Sequence, residues 1–197
     1  MRLFVAVNLP AEERRAVWDA TAPLRESRLP VRWAPESSLH LTLRFLGEVD
    51  EARVAPIEAA LQGCVRGVRT FAVGLGGVGA FPSLARPRVV WIGVERHPAL
   101  ELLANDVERS LMTLGFEPEL RPFAPHLTLG RAKHGANGAA FRDLARLAGA
   151  VDHQGTSVVE SVDLMRSTLG PGGAVYTVIS RAALGSGAGG AGAEEQP

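Results

Sequence analysis

Two identical strings, His40-Leu41-Thr42-Leu43 and His126-Leu127-Thr128-Leu129, begin 86 residues apart. In an extended chain successive side chains point to opposite faces, so each His shares a face with its Thr while both Leu take the other. Each string therefore presents an imidazole beside a hydroxyl on an apolar anchor. Imidazole titrates near neutrality, so of two facing His one can accept a proton from water while the other donates one to a leaving oxygen. Two Thr hydroxyls donating to non-bridging oxygens would hold a phosphoryl group between them and offset the charge that develops in its transition state. In-line displacement at phosphorus needs that two-sided arrangement.

A single H-x-T in a strand is more often incidental than catalytic. Repeat positions inside a core are usually kept apolar, however, so a polar pair retained in both copies beside the expected Leu needs a reason other than packing. A metal centre lacks ligands, because no Asp, Glu, Cys or H-x-H pair stands beside either string. Cys64 is the only cysteine, which excludes an intramolecular disulfide and a cysteine-rich metal site. It falls on a helical apolar stripe and reads as a small core residue rather than a nucleophile, and no nucleophile-elbow sequence is present.

The elements around the strings repeat in the same order. Leu3 to Val7 is a β-prone run, Ala11 to about Ala22 is helical with Val17 and Trp18 to bury, and Leu39 to Leu46 is the first motif strand, ended by Gly47. Asp50 is a candidate N-cap for a helix carrying Val54, Ile57, Leu61 and Cys64 on one stripe. Thr70 to Val78 is extended. From Arg88 the pattern restarts: a strand to Val94, a helix with Leu100, Leu103, Val107, Leu111 and Leu114 stopped by Gly115, and the second motif strand, His126 to Gly130. Asn137 to Leu147 supplies a short helix, Ser157 to Met165 a strand, and Val175 to Ala182 a last strand that completes one lobe's sheet. Shifting Arg2-Leu3-Phe4-Val5 by 86 lands on Arg88-Val89-Val90-Trp91, and Thr70 on Thr156, so one offset is expected to hold throughout. The fold class expected is α+β. Two lobes with mostly antiparallel sheets and flanking helices pack about a central cleft, in one domain over 1–184 built from two interleaved repeats.

Composition narrows the partners. The chain of 197 residues carries 21 basic and 21 acidic groups, which argues against a large non-specific nucleic-acid footprint and leaves any anion to be held locally. No apolar stretch approaches a membrane span and Met1 to Asn8 lacks a signal-peptide layout, so a cytoplasmic monomer with no membrane partner is expected. Gly185 to Pro197 is Gly/Ala-rich and is expected to be a disordered tail.

A wider set of residues carries a resemblance. Arg2 to Pro10, Trp33, Leu39 to Leu43, Phe45-Leu46-Gly47, Pro87-Arg88, Trp91, Gly93-Val94, Pro125 to Arg131, Ser167, Gly173 and Tyr176 resemble the two-histidine phosphoesterase superfamily. Within it they are most similar to the bacterial and archaeal RNA 2′,3′-cyclic phosphodiesterase family, long labelled 2′-5′ RNA ligase. The resemblance runs from about Arg2 to Ala183 and implies a bilobal fold with a pseudo-twofold axis and no metal or other cofactor. It also implies a reaction in which water opens a terminal 2′,3′-cyclic phosphate on RNA, or on a cyclic nucleotide, to leave a 2′-phosphate. Position by position, His126 is implied as the proton acceptor, His40 as the proton donor to the departing 3′ oxygen, and Thr42 and Thr128 as phosphate-binding groups. Arg131 is implied as a contact to the phosphate or the neighbouring nucleotide.

The first string has Phe45 where the second has Arg131, so the cleft is expected to be asymmetric. Phe45, Phe81 and Phe123 suit base stacking but are read first as packing residues, as are Trp33 and Trp91. His97, His134 and His153 are read as solvated. Two other functions fit the same motifs: 2′-5′ RNA ligation with acid and base exchanged, and a non-catalytic module that binds nucleotides or RNA ends.

Overall fold

The computed structural model describes residues 1–170 and 173–186. Its strands are β1 (Arg2–Asn8), β2 (Val31–Trp33), β3 (His40–Glu48), β4 (Phe71–Phe81), β5 (Val89–Val94), β6 (His126–Ala132), β7 (Gln154–Val159), β8 (Ser161–Gly170) and β9 (Gly173–Ala183). The helices are α1 (Ala11–Ala20), α2 (Ala22–Glu26), α3 (Val54–Cys64), α4 (Pro98–Thr113) and α5 (Leu144–Gly149).

Helix limits follow local chemistry. His97 Nδ1 accepts the Ala99 N–H at 3.2 Å and Pro98 lies in the first turn of α4, whose Leu100, Leu103, Val107 and Leu111 form one buried stripe. Gly115, at φ +83°, takes the left-handed turn that ends it. Asp50 does cap, but it caps a short 3-10 turn over Glu51–Arg53 that leads into α3.

The strands form one curled antiparallel sheet in the order β7-β4-β5-β6-β3-β1-β8-β9, with β2 also on β6. Alternation along β1 sends Leu3, Val5 and Val7 into the main core with the helices, while Phe4 and Ala6 join Met165 and Tyr176 on the opposite face. The sheet has two arms. β3, β1, β8 and β9 make one and β6, β5, β4 and β7 the other; β3 and β6 pair at Leu41 with Leu127, and a bridge between Arg69 and Gly185 links the segments that flank β4 and β9. The arms are interleaved, because β8 and β9 come from the end of the chain yet complete the arm that β1 begins.

Three expectations are corrected. The stretch 157–165 is two strands, not one: β7 pairs with β4, the chain breaks at Glu160, and β8 pairs with β1 in the other arm. An unbroken β-prone run carries no signal for a change of partner. Second, the offset is not constant. Thr42 lies opposite Ala6 and Thr128 opposite Trp91, so Ala6 and Trp91 correspond, 85 apart, while the motifs remain 86 apart. Third, the chain stays paired into the expected tail, since the Gly185 N–H donates to Val68 O and its carbonyl accepts from Thr70, both at 2.9 Å. Residues 187–197 lie outside the described residues.

Leu127 is fully buried where β3 and β6 join the arms. Leu127→Ala is expected to lower unfolding free energy by about 2–5 kcal/mol, read from urea denaturation.

Candidate active site

Antiparallel register at Leu41–Leu127 brings His40 toward Thr128 and Thr42 toward His126. With both Leu in the main core, the four polar side chains lie together on the helix-free face. The structure thus assembles one centre from the two strings, with its local twofold passing through the Leu pair.

Each imidazole is held in the same way. Nδ1–H of His40 donates to Ser38 O at 2.8 Å, and Nδ1–H of His126 donates to Ala124 O at 2.7 Å. A carbonyl only accepts, so the proton of the neutral ring sits on Nδ1 and Nε2 is left as a base. Neither Nε2 makes a hydrogen bond among the described residues, and neither is a buried orphan. The Thr42 and Thr128 hydroxyls, on half-buried side chains, likewise have no partner there.

Aromatic rings fix the imidazole planes. His40 lies between Phe4, 4.9 Å away, and Tyr176, edge-on at 5.0 Å. His126 meets Phe81 edge-on at 5.0 Å and Trp91 at 6.2 Å. This apolar packing costs the charged form. Burial pushes His40 from 6.5 down to about 4 against the opposing pull of the Ser38 carbonyl, and the neighbouring His126 adds to the fall. Burial also lowers His126, with the Ala124 carbonyl opposing and the Arg131 charge contributing. Arg131 is exposed and is felt at His126 alone of the pair.

A β-bulge aims Arg131. Val90 pairs with Gly130 and Trp91 with Thr128, so Leu129 is the extra residue and Arg131, opposite Val89, shares the face of His126 and Thr128. Simple alternation would have put Gly130 there. The same bulge at Leu43 puts Phe45, opposite Phe4, on the face of His40 and Thr42. It turns Arg44 to the other side, where Nε lies 2.6 Å from Glu108 of α4.

A family model described as "LigT like Phosphoesterase" matches the chain twice in succession, over residues 7–91 and 92–176. This chain belongs to the LigT-like phosphoesterases. It is 36% identical over 180 residues to an RNA 2′,3′-cyclic phosphodiesterase of Methanothermobacter thermautotrophicus, covering 90% of this chain and 95% of that one. TT0787 of Thermus thermophilus superimposes with a TM-score of 0.78 at 33% identity, over 93% of this chain and 98% of that one. E. coli LigT complexed with 3′-AMP gives 0.71 at 30%, over 93% and 97%.

In this LigT-like phosphoesterase several residues around the centre escaped sequence reasoning. Trp91 packs as expected, over Gly79 and against Phe81 at 5.2 Å, but it does so on the site face, opposite Thr128. Phe45 is 56% exposed and Phe81 is 37% exposed, so neither is a core residue, whereas Phe123 packs on the core. Asn8, opposite His40, donates through Nδ2 to Asp163 at 2.7 Å. Asp163 is fully buried and held by Arg181 through two bonds of 2.9 Å. An Asp within the apolar run Ser161–Met165 was the available signal. His97 and His153 are only partly solvated: His97 stacks on Phe71 at 4.9 Å besides capping α4, and His153 Nε2 is buried. His134 is exposed.

Two titrations check this electrostatic arrangement. Removing the Arg131 charge by Arg131→Gln is expected to move the His126 NMR titration midpoint up and to leave that of His40 in place. An unfolded His takes up its proton near 6.5 and folded His40 near 4, so between them the unfolded state binds more protons. Stability is therefore complete above pH 6.5 and falls as pH drops toward 4. His40→Gln is expected to flatten that dependence in denaturation curves taken across the window.

Proposed function

We propose that this chain hydrolyses the 2′,3′-cyclic phosphate at the 3′ end of RNA to a 2′-phosphomonoester. The observation that carries the reading is the Leu41–Leu127 pair, which turns two local His-x-Thr elements into one two-sided centre with both Nε2 atoms unpaired. Relatives named RNA 2′,3′-cyclic phosphodiesterase at 36% and 38% identity over about nine-tenths of the chain support the same chemistry.

In this mechanism Thr42 and Thr128 donate to the two non-bridging oxygens from opposite sides. His126 Nε2 takes a proton from the attacking water as the water oxygen bonds to phosphorus. The bond from phosphorus to the 3′ oxygen breaks, and His40 Nε2–H delivers the proton that this oxygen needs. The bound anion favours a charged imidazole against the burial that lowers both rings, His40 the more, and the family resemblance assigns the donated proton to His40. Afterwards His126 is charged and His40 neutral, and exchange with solvent resets the pair. Every step runs through side chains of this chain, so activity is expected to survive chelators.

The test is product analysis with RNA ending in a cyclic phosphate. A 2′-monophosphate is expected from the wild type, and His40→Ala and His126→Ala are each expected to lose about 10²–10⁴-fold in rate while keeping the wild-type circular dichroism. A joined 2′-5′ product as the main outcome, tight binding without turnover, or full activity in either variant would overturn the proposal.

A further inference from the structure

The two ends of the site differ in charge. Beyond Thr128, β2 continues along the same edge of β6 that β3 occupies, with Val31, Arg32 and Trp33 opposite Ala132, Arg131 and Gly130. Arg32 is therefore directly across from Arg131, and directly opposed residues share a face. The Lys133 N–H donates to Pro30 O at 2.8 Å, which extends the register, and alternation returns Lys133 to the side of Arg131. All three side chains are exposed, and none makes an ion pair among the described residues.

Like charges placed face to face across a strand pair repel. Other exposed cations divide: Arg15, Arg96 and Arg181 are neutralised by Asp19, Glu101 and Asp163, while Arg2, Arg66, Arg86 and Arg166 make no ion pair among the described residues, so Arg32 and Arg131 are set apart by standing face to face rather than by lacking acidic partners. The uncompensated pair next to the centre is thus a feature that folding does not require.

The opposite end is built otherwise. Phe45 occupies the place of Arg131, and 86 residues on from Arg32 stands Pro118, between Glu117 and Glu119. Pro118 has no N–H to pair with β3, no strand forms there, and the segment is tied to Arg44 through the Glu117 carbonyl and the Glu119 carboxylate. A polyanion is attracted to the Arg32–Arg131 end, whereas at the other end the Glu119 carboxylate is already paired with Arg44 and Arg121.

We propose that Arg32 and Lys133, beside Arg131, form a subsite for the phosphodiesters on the 5′ side of the terminal nucleotide, so that the RNA strand leaves the site over β2. This rests on the reading that a cyclic RNA end is the substrate. Arg guanidinium groups suit phosphate because their N–H pairs match two of its oxygens, and Lys adds a point charge. The overall charge of the chain is zero, so attraction is confined to this short track and suits a few phosphates rather than a long duplex.

The test compares two substrates, a nucleoside 2′,3′-cyclic phosphate with a free 5′-hydroxyl and an RNA trinucleotide with the same cyclic end. The wild type is expected to prefer the trinucleotide in kcat/KM. Arg32→Gln and Lys133→Gln are each expected to lower that preference about 3- to 10-fold through KM for the trinucleotide. The slope of log affinity against log salt is expected to fall by about 0.7 for each contact removed. Arg32→Lys is expected to keep most of the preference, and Arg32→Gln to melt no lower than the wild type, since it relieves repulsion. An unchanged preference in both Gln variants, with hydrolysis intact, overturns the subsite alone. Absence of hydrolysis of either substrate by the wild type overturns the reaction and the subsite together.

Discussion

At the centre of the sheet one residue pair, Leu41 with Leu127, joins β3 of one arm to β6 of the other. Because it lies between the His and Thr of each string, its register sets which side chains face each other. A slip of one residue along either strand would exchange the Leu faces with the His and Thr faces and bury the polar groups in the core. The apolar residues thus specify the geometry of the polar ones. Pairing at the seam is enforced by the burial of both Leu on the helix side, not by any interaction among the His and Thr themselves.

The same seam explains why the imidazoles are neutral at rest. Each is seated against two aromatic rings, and each gives its Nδ1 proton to a carbonyl two residues back. Burial removes water from the rings and lowers their affinity for a second proton, while the carbonyl bond partly restores it. An anion entering between them supplies the missing counter-charge. Arg131 breaks the symmetry of that response because the Leu129 bulge aims it to the His126 side.

The two bulges, at Leu43 and Leu129, are duplicated as faithfully as the motifs, yet they bring different residues to the site face, Phe45 in one arm and Arg131 in the other. Duplication supplied the frame and divergence at equivalent places supplied direction. The same holds for Arg32 and Pro118, where one substitution changes both the charge and whether a strand can form.

Much of this was legible in the residues. The strings, their Leu anchors, the stripe of α4 and the Gly115 stop each follow from local periodicity and turn chemistry, and they lead to an α+β fold of two similar halves about a His-x-Thr pair. What local pattern could not carry was register. Comparing sequence at a constant 86 sets Trp91 against Val5, a core residue, whereas pairing sets it against Ala6 on the site face. A single extra residue between strands is invisible to composition but reverses which face a side chain takes. Likewise an odd spacing of five from His126 points Arg131 away until a bulge turns it back. The strand break at Glu160 and the Asn8–Asp163 bond join segments far apart in the chain, and such partners are chosen by the whole sheet. The amino-acid order therefore determined the chemistry available and the elements that hold it, and tertiary pairing decided which groups meet, because face and register depend on partners that local residues do not name.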